Sequence, residues 1–189
     1  MKLNQFVKLI TGVLTALVLS ISLSNLEVIA AQPQKGEKFA DFELKDLGDK
    51  KHKLSELSQS NQVVLLVLRG YPGYQCPLCS KQAAQFLAKA DEFKKAGAKV
   101  VMIYPAPANG IDKYAREFIE GKDFPENFVF LIDPDYQFLI DNDLRWDAEQ
   151  ETSYPSTFVL DSNRMVKFAK ISMSHGGRTK PDEVLAELK

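Results

Sequence analysis

Two apolar runs, Val63-Val-Leu-Leu-Val-Leu68 and Lys99-Val-Val-Met-Ile-Tyr104, constrain the fold more than any other feature of this chain. Runs without polar alternation predict strands covered on both faces. From Pro77 onward Ala83, Phe86, Leu87 and Ala90 recur at helical spacing, and Lys94 to Gly97 supply a stop. Strand, helix, strand with a crossover of this length makes a right-handed parallel unit.

The remaining segments extend that unit. Phe42 and Leu44 alternate with polar neighbours around a Gly48-Asp49 turn, which predicts an N-terminal β-hairpin extension. Ile111 to Ile119 reads as helix, Phe128 to Ile132 as a third parallel strand and Tyr136 to Leu144 as a short helix. Thr157 to Asp161 and Met165 to Ile171 read as antiparallel strands around a Ser162-Asn163 turn, before a closing helix from Pro181 to Leu188. The expected class is therefore α/β, a single domain over residues 32–189 with a mixed central sheet flanked by helices.

Residues 1–31 are of another kind. Lys2 and Lys8 precede an apolar run from Leu9 to Leu23, and small residues at Ala30 and Ala31 offer a cleavage point. The pattern predicts a signal peptide and an exported, periplasmic or otherwise extracytoplasmic protein. An uncleaved membrane anchor is the alternative, since such a run is borderline for a bilayer core of about 30 Å. The net charge of -1 and the lack of a long basic run exclude a phosphate-tracking surface, so no nucleic-acid partner is expected.

The chain has two cysteines, and they stand three apart where the first strand's exit loop meets the helix. With Pro77 at the first helical position, Cys76 falls on the N-cap and Cys79 in the first turn. Unpaired amides and the positive end of the helix dipole then favour a Cys76 thiolate, the form that attacks. Cys79 lies on the same helix face and can close a disulfide on Cys76. A passive staple is the bland alternative, yet so short a loop stabilises a fold by only about 2 kcal/mol. Structural zinc needs four ligands, and His52 and His175 lack ligand spacing, so no metal is expected.

A helix-start Cys-Pro-Leu-Cys upstream and Tyr154-Pro-Ser-Thr-Phe-Val-Leu-Asp161 downstream resemble the hallmarks of the thioredoxin superfamily. The opening Gly36-Glu-Lys-Phe-Ala-Asp-Phe-Glu-Leu and the segment Leu68-Arg-Gly-Tyr-Pro-Gly-Tyr-Gln-Cys-Pro-Leu-Cys-Ser-Lys-Gln82 are similar to the alkyl hydroperoxide reductase/thiol-specific antioxidant (peroxiredoxin-like) redoxins. The resemblance implies a thioredoxin-like fold and a thiol-dependent oxidoreductase without a cofactor. It would reduce peroxides or protein disulfides with electrons from a thioredoxin-like thiol donor. It also implies that Tyr154 and Pro155, at a cis-proline loop, bind the partner or substrate. Typical members carry Pro-x-x-x-Thr-x-x-Cys and a later arginine. Aligning Pro72 with that proline puts Cys76 where Thr belongs and Cys79 at the peroxidatic place, so reversed roles stand beside the first assignment. Arg69 and Arg178 are candidate substitutes for the missing arginine.

Topology adds that the strand ending near Ile171 returns toward the thiols, which places the Met173-Ser-His-Gly-Gly-Arg178 loop on the Cys76 side. His175 or Arg178 would there tune the thiolate electrostatically, and Arg178 would bind substrate. Tyr71 and Tyr74 would rim the cysteines, one of them packing on the core. Trp146 is expected in a connecting loop and His52 on an exposed hairpin strand, both without a role. A function from another class is a thioredoxin-fold copper-binding assembly factor using Cys76, Cys79 and His175.

Overall fold

The structure, a computed structural model, describes residues 31–188. The expected signal peptide lies outside these residues but for Ala31. No helix among them is long and apolar enough to cross a membrane.

Seven strands form one sheet: β1 (Glu43–Lys45), β2 (Lys51–Lys53), β3 (Gln62–Val67), β4 (Ala98–Ala106), β5 (Phe128–Pro134), β6 (Ser156–Leu160) and β7 (Val166–Ile171). Their order across the sheet is β2-β1-β5-β4-β3-β6-β7. β4 pairs parallel to both β3 and β5, whereas β6 and β7 run antiparallel on one side and the β1–β2 hairpin closes the other.

The unbroken apolar runs have a direct physical meaning here. Val64, Leu66 and Leu68 belong to one core, with Phe86, Phe93 and Phe118. Val63, Leu65 and Val67 belong to the opposite core, with Phe39, Leu54 and Phe158. Helices α2 (Pro77–Leu87), α3 (Ala90–Lys95), α4 (Ile111–Ile119) and α6 (Pro181–Ala186) cover the first face. The short α1 (Leu54–Leu57) and α5 (Gln137–Asp141) cover the second.

The helix expected to run from Pro77 to about Lys94 is two helices, broken at Ala88 and Lys89. The break lets Phe86 and Phe93 stack at 5.5 Å on the same core, which a straight helix of uniform period would not require. Among the described residues there is no cis peptide bond, so the cis-proline expected at Tyr154-Pro155 is corrected to trans. The ordinary trans preference prevails there, and the Pro155 carbonyl accepts from the Ser172 amide at 2.9 Å while the Tyr154 amide donates to Leu144. His52 is also not exposed as expected; its ring lies 2.7 Å from Asp46 and is largely covered.

Gly70 fixes how the chain leaves β3. Its φ is +68°, and a Cβ there would sit 1.9 Å from the Pro105 carbonyl oxygen. That oxygen accepts the next amide, from Tyr71, at 3.1 Å. A side chain at Gly70 would combine a left-handed backbone with a clash against the end of β4. Gly70→Ala is therefore expected to destabilise the fold by more than about 2 kcal/mol, read as a lowered midpoint in urea unfolding.

Candidate active site

Cys76 is the N-cap of α2, and Pro77 holds the first helical position, where its missing N–H leaves nothing unpaired. Both sulfur-bearing residues are covered, Cys76 being 2% exposed and Cys79 fully buried, and the two sulfurs are free thiols. Gln75, just before the pair, is held from two sides: the Tyr104 hydroxyl donates to its Oε1 at 2.9 Å, and its Nε2 donates to the Tyr114 carbonyl at 2.7 Å.

Two arginines flank the thiols. The backbone N–H of Arg69, at the exit of β3, donates to Cys79 Sγ at 3.3 Å. Arg69 is 2% exposed, and each nitrogen of its guanidinium has a partner: Nε donates to Glu151 Oε2 at 2.8 Å, Nη1 to the Tyr74 hydroxyl at 2.8 Å and Nη2 to the Gln150 carbonyl at 2.6 Å. Arg178, from the loop between β7 and α6, donates through Nη1 to Gln82 Oε1 at 3.1 Å and points Nη2 at Cys76 Sγ, 3.9 Å away. Glu151 also takes His175 Nε2 at 2.6 Å on its other oxygen. Burial opposes ionising Glu151, but the bonds from Arg69 and His175 outweigh it and hold the carboxyl below its usual range.

These surroundings split the two thiols. The hydrogen bond from the Cys79 thiol is the largest influence on Cys76; burial opposes it, and the Cys79 amide, Arg178 and Arg69 add to it, pulling Cys76 down to about 5. Burial, and then Cys76 beside it, push Cys79 well above the usual thiol range. Cys76 makes no side-chain cap hydrogen bond to α2, and the positive end of the helix dipole favours its thiolate. A thiolate at Cys76 and a thiol at Cys79 is the resulting state at neutral pH.

Of the residues singled out in the sequence, Cys76, Cys79, Arg69 and Arg178 come together. Pro155 lies beside the exit of β3, since Ser156 pairs with Val67 and the Ser153 hydroxyl donates to the Leu68 carbonyl at 2.8 Å. Tyr154 turns its ring onto Trp146, stacking at 5.1 Å, and makes no hydrogen bond to either sulfur. Tyr71 packs as a rim residue against Tyr114 at 3.7 Å, while Tyr74 stays 45% exposed beside Cys76. His175 is drawn to Glu151 instead of the thiols. Among the described residues no three His, Cys, Asp or Glu side chains are grouped to hold a metal, and His175 lies on Glu151, so the Cys76, Cys79 and His175 expected for a copper site are not brought together. Glu151 and Gln82 were not foreseen: Glu151 stands in the polar stretch Asp147-Ala-Glu-Gln-Glu151, which carries no local sign of a buried partner.

Comparison with known proteins follows the same line. A family model described as AhpC/TSA family matches residues 35–169. Peroxiredoxin Q, chloroplastic, from Populus jackii is 33% identical over 115 residues, 61% of this chain and 52% of that protein. The Arabidopsis thaliana protein of the same description is 30% identical over 148 residues, 78% of this chain and 64% of that one. The chain thus spans between about half and just under two thirds of these curated relatives. The crystal structure of the peroxidoxin BcpB from Mycobacterium tuberculosis is 26% identical with a TM-score of 0.64, covering 83% of this chain and 97% of that one. One expectation is overturned by these relatives: the curated ones are chloroplastic by description, so the exported, periplasmic location read from the N-terminal pattern is withdrawn.

Two outcomes follow from the geometry. Alkylation of the reduced protein is expected to modify Cys76 with a midpoint at about pH 5, the rate staying level toward neutral pH and falling on acidification as the thiolate is protonated; Cys79 stays unmodified until strongly alkaline pH. Peptide mass spectrometry across a pH series reads both. Glu151→Leu strands the buried Arg69 cation and is expected to cost about 3 kcal/mol or more in unfolding experiments.

Proposed function

The chain belongs to the AhpC/TSA family, and on that premise we propose that it is a thiol-dependent peroxidase in which Cys76 attacks and Cys79 resolves. The observation that carries this reading is the split between the two sulfurs: an N-cap thiolate faced by Arg178, and a buried thiol one helical turn behind it.

The Cys76 thiolate attacks the distal oxygen of a hydroperoxide. The O–O bond breaks, the leaving alkoxide or hydroxide takes a proton from solvent, and Cys76 becomes a sulfenic acid. Cys79 then attacks the Cys76 sulfur, an S–S bond forms, and the hydroxyl leaves as water with the Cys79 proton. Two electrons from a thioredoxin-like dithiol donor restore both thiols. Arg178 supplies the positive charge that steadies the departing oxygen, in place of the arginine of the usual family pattern. Arg69, bonded at each of its three nitrogens to Glu151, Tyr74 and Gln150, holds the surrounding segments in place and adds its charge beside Cys76.

A second reading, exchange with a protein disulfide, is favoured by one observation. Leu78 is 41% exposed and Tyr74 45%, which leaves an apolar rim beside Cys76 for a polypeptide to lie on.

Stopped-flow oxidation by hydrogen peroxide separates the two. The expected result is fast oxidation of the reduced protein, retained with a trapped Cys76 sulfenic acid in Cys79→Ser and lost in Cys76→Ser. Oxidation no faster than a free thiol of the same pKa would overturn the peroxidase and leave protein exchange, which Cys79→Ser would trap as a mixed disulfide. Activity kept by Cys76→Ser, with sulfenic acid on Cys79, would reverse the two roles.

A further inference from the structure

We propose that His175 is a positioning residue that sets Arg178 against the Cys76 sulfur, with Glu151 as its anchor. The inference rests on the reading of Cys76 as the attacking thiolate and adds the means by which its cation is held.

The loop that carries Arg178 is held from within at Ser172, whose hydroxyl faces the Ser174 and Gly176 carbonyls, and nothing in those bonds fixes the arginine side chain. Met173, Ser174, His175, Gly176 and Gly177 are exposed, and the two glycines add no side chains. An arginine reaching out of such a loop has many rotamers to choose from, and ordering it opposes a charge-assisted contact at 3.9 Å. The structure removes that freedom in steps. The His175 ring sits 2.6 Å from Glu151 Oε1, and because an ionised carboxylate only accepts, Nε2 carries the proton and donates. Glu151 is itself immobilised by the buried Arg69. The His175 carbonyl then accepts Arg178 Nε at 3.0 Å, and Gln82 accepts Nη1. With two of its nitrogens committed, the guanidinium can present Nη2 only toward Cys76.

His175 makes no hydrogen bond to either sulfur among the described residues. Its ring instead lies 5.4 Å from Trp146 and against Glu151. Its effect on Cys76 runs through Arg178, whose Nε its own carbonyl accepts, or through Glu151 and the Arg69 side chain, and a double-mutant cycle separates the two routes. A closed path results: Cys79 Sγ, the Arg69 amide and guanidinium, Glu151, His175, Arg178 and Cys76 Sγ. Two segments distant in sequence, the Glu151 turn and the loop before α6, are thereby tied to the same pair of thiols.

The test is a double-mutant cycle read by thiolate titration, which needs no peroxide. Reduced full-length protein, His175→Ala, Arg178→Ala and the double variant are alkylated with iodoacetamide over a pH series, and the modified cysteine is identified by peptide mass spectrometry. Below neutral pH both single variants are expected to react roughly threefold to tenfold more slowly at Cys76, the midpoint having moved up. The double variant should match Arg178→Ala alone, because His175 acts through Arg178. His175→Gln, whose amide can donate to Glu151, should recover most of the rate. His175→Phe keeps a ring beside Trp146 but has no donor, and should behave as His175→Ala.

A wild-type midpoint in His175→Ala, or a double variant whose shift adds the two single ones, would overturn the proposal. Recovery by Phe but not by Gln would overturn it too, by assigning His175 to packing. Modification at Cys79 instead of Cys76 in the unmutated protein would overturn the nucleophile assignment beneath it, an outcome distinguishable from the others by the peptide labelled.

Discussion

A guanidinium buried at the carboxyl end of a central strand commits everything around it. Arg69 leaves β3 with its charge almost wholly out of water, and a cation in that position must be matched by acceptors of fixed geometry. Glu151, Tyr74 and the Gln150 carbonyl provide them. Those three come from the loop before α2 and from the turn before β6, so satisfying one charge fixes the two chain segments that border the thiols. The Arg69 amide, which has no further strand partner to meet, is free to face the Cys79 sulfur.

The rest of the sheet explains why that charge can be buried at all. β3 lies between β4 and β6 with both faces covered, and its last residues are stitched to the incoming β6 segment by the Ser153 hydroxyl on Leu68 and the Thr152 hydroxyl on Arg69. Backbone carbonyls at the strand's end are therefore satisfied without water. Gly70 then turns the chain over the end of β4, and the few residues from Tyr71 to Gln75 suffice to reach the N-terminus of α2. Strand end, arginine, glycine and cysteine form one continuous construction in which each step limits the next.

Much of this was legible in the sequence, for local physical reasons. Unalternated apolar runs marked β3 and β4 because both faces of those strands are buried, and proline after Cys76 marked a helix start because its missing amide is harmless only there. The side on which Arg178 would emerge followed from the antiparallel hairpin of β6 and β7. What was hidden depends on contacts between distant positions. Glu151 reads as a solvated acid in a polar turn; it is largely covered because Arg69, 82 positions away, arrives beside it. The break between α2 and α3 was hidden for a related reason, since it follows from the stacking of Phe86 on Phe93 and leaves the apolar spacing intact. The trans bond at Pro155 and the covered ring of His52 likewise depend on partners that periodicity does not reveal.

The resemblance that puts Cys76 at the place of the family's threonine bears on how the proposed cycle runs. A threonine hydroxyl at that position can only donate or accept a hydrogen bond, whereas a thiol with a depressed pKa can also form a bond to sulfur. The chain holds two cysteines, so an intramolecular disulfide in it joins Cys76 and Cys79. Both already sit in or at the first turn of α2, Cys76 at its N-cap and Cys79 two residues after Pro77. A ring this small removes little chain entropy, and closing it asks for no separation of the two residues. In a proposed cycle of this kind, the helix start can remain in place through oxidation and reduction. The contact that oxidation alters is then the one from Arg178, because oxidation removes the negative charge that its guanidinium faces.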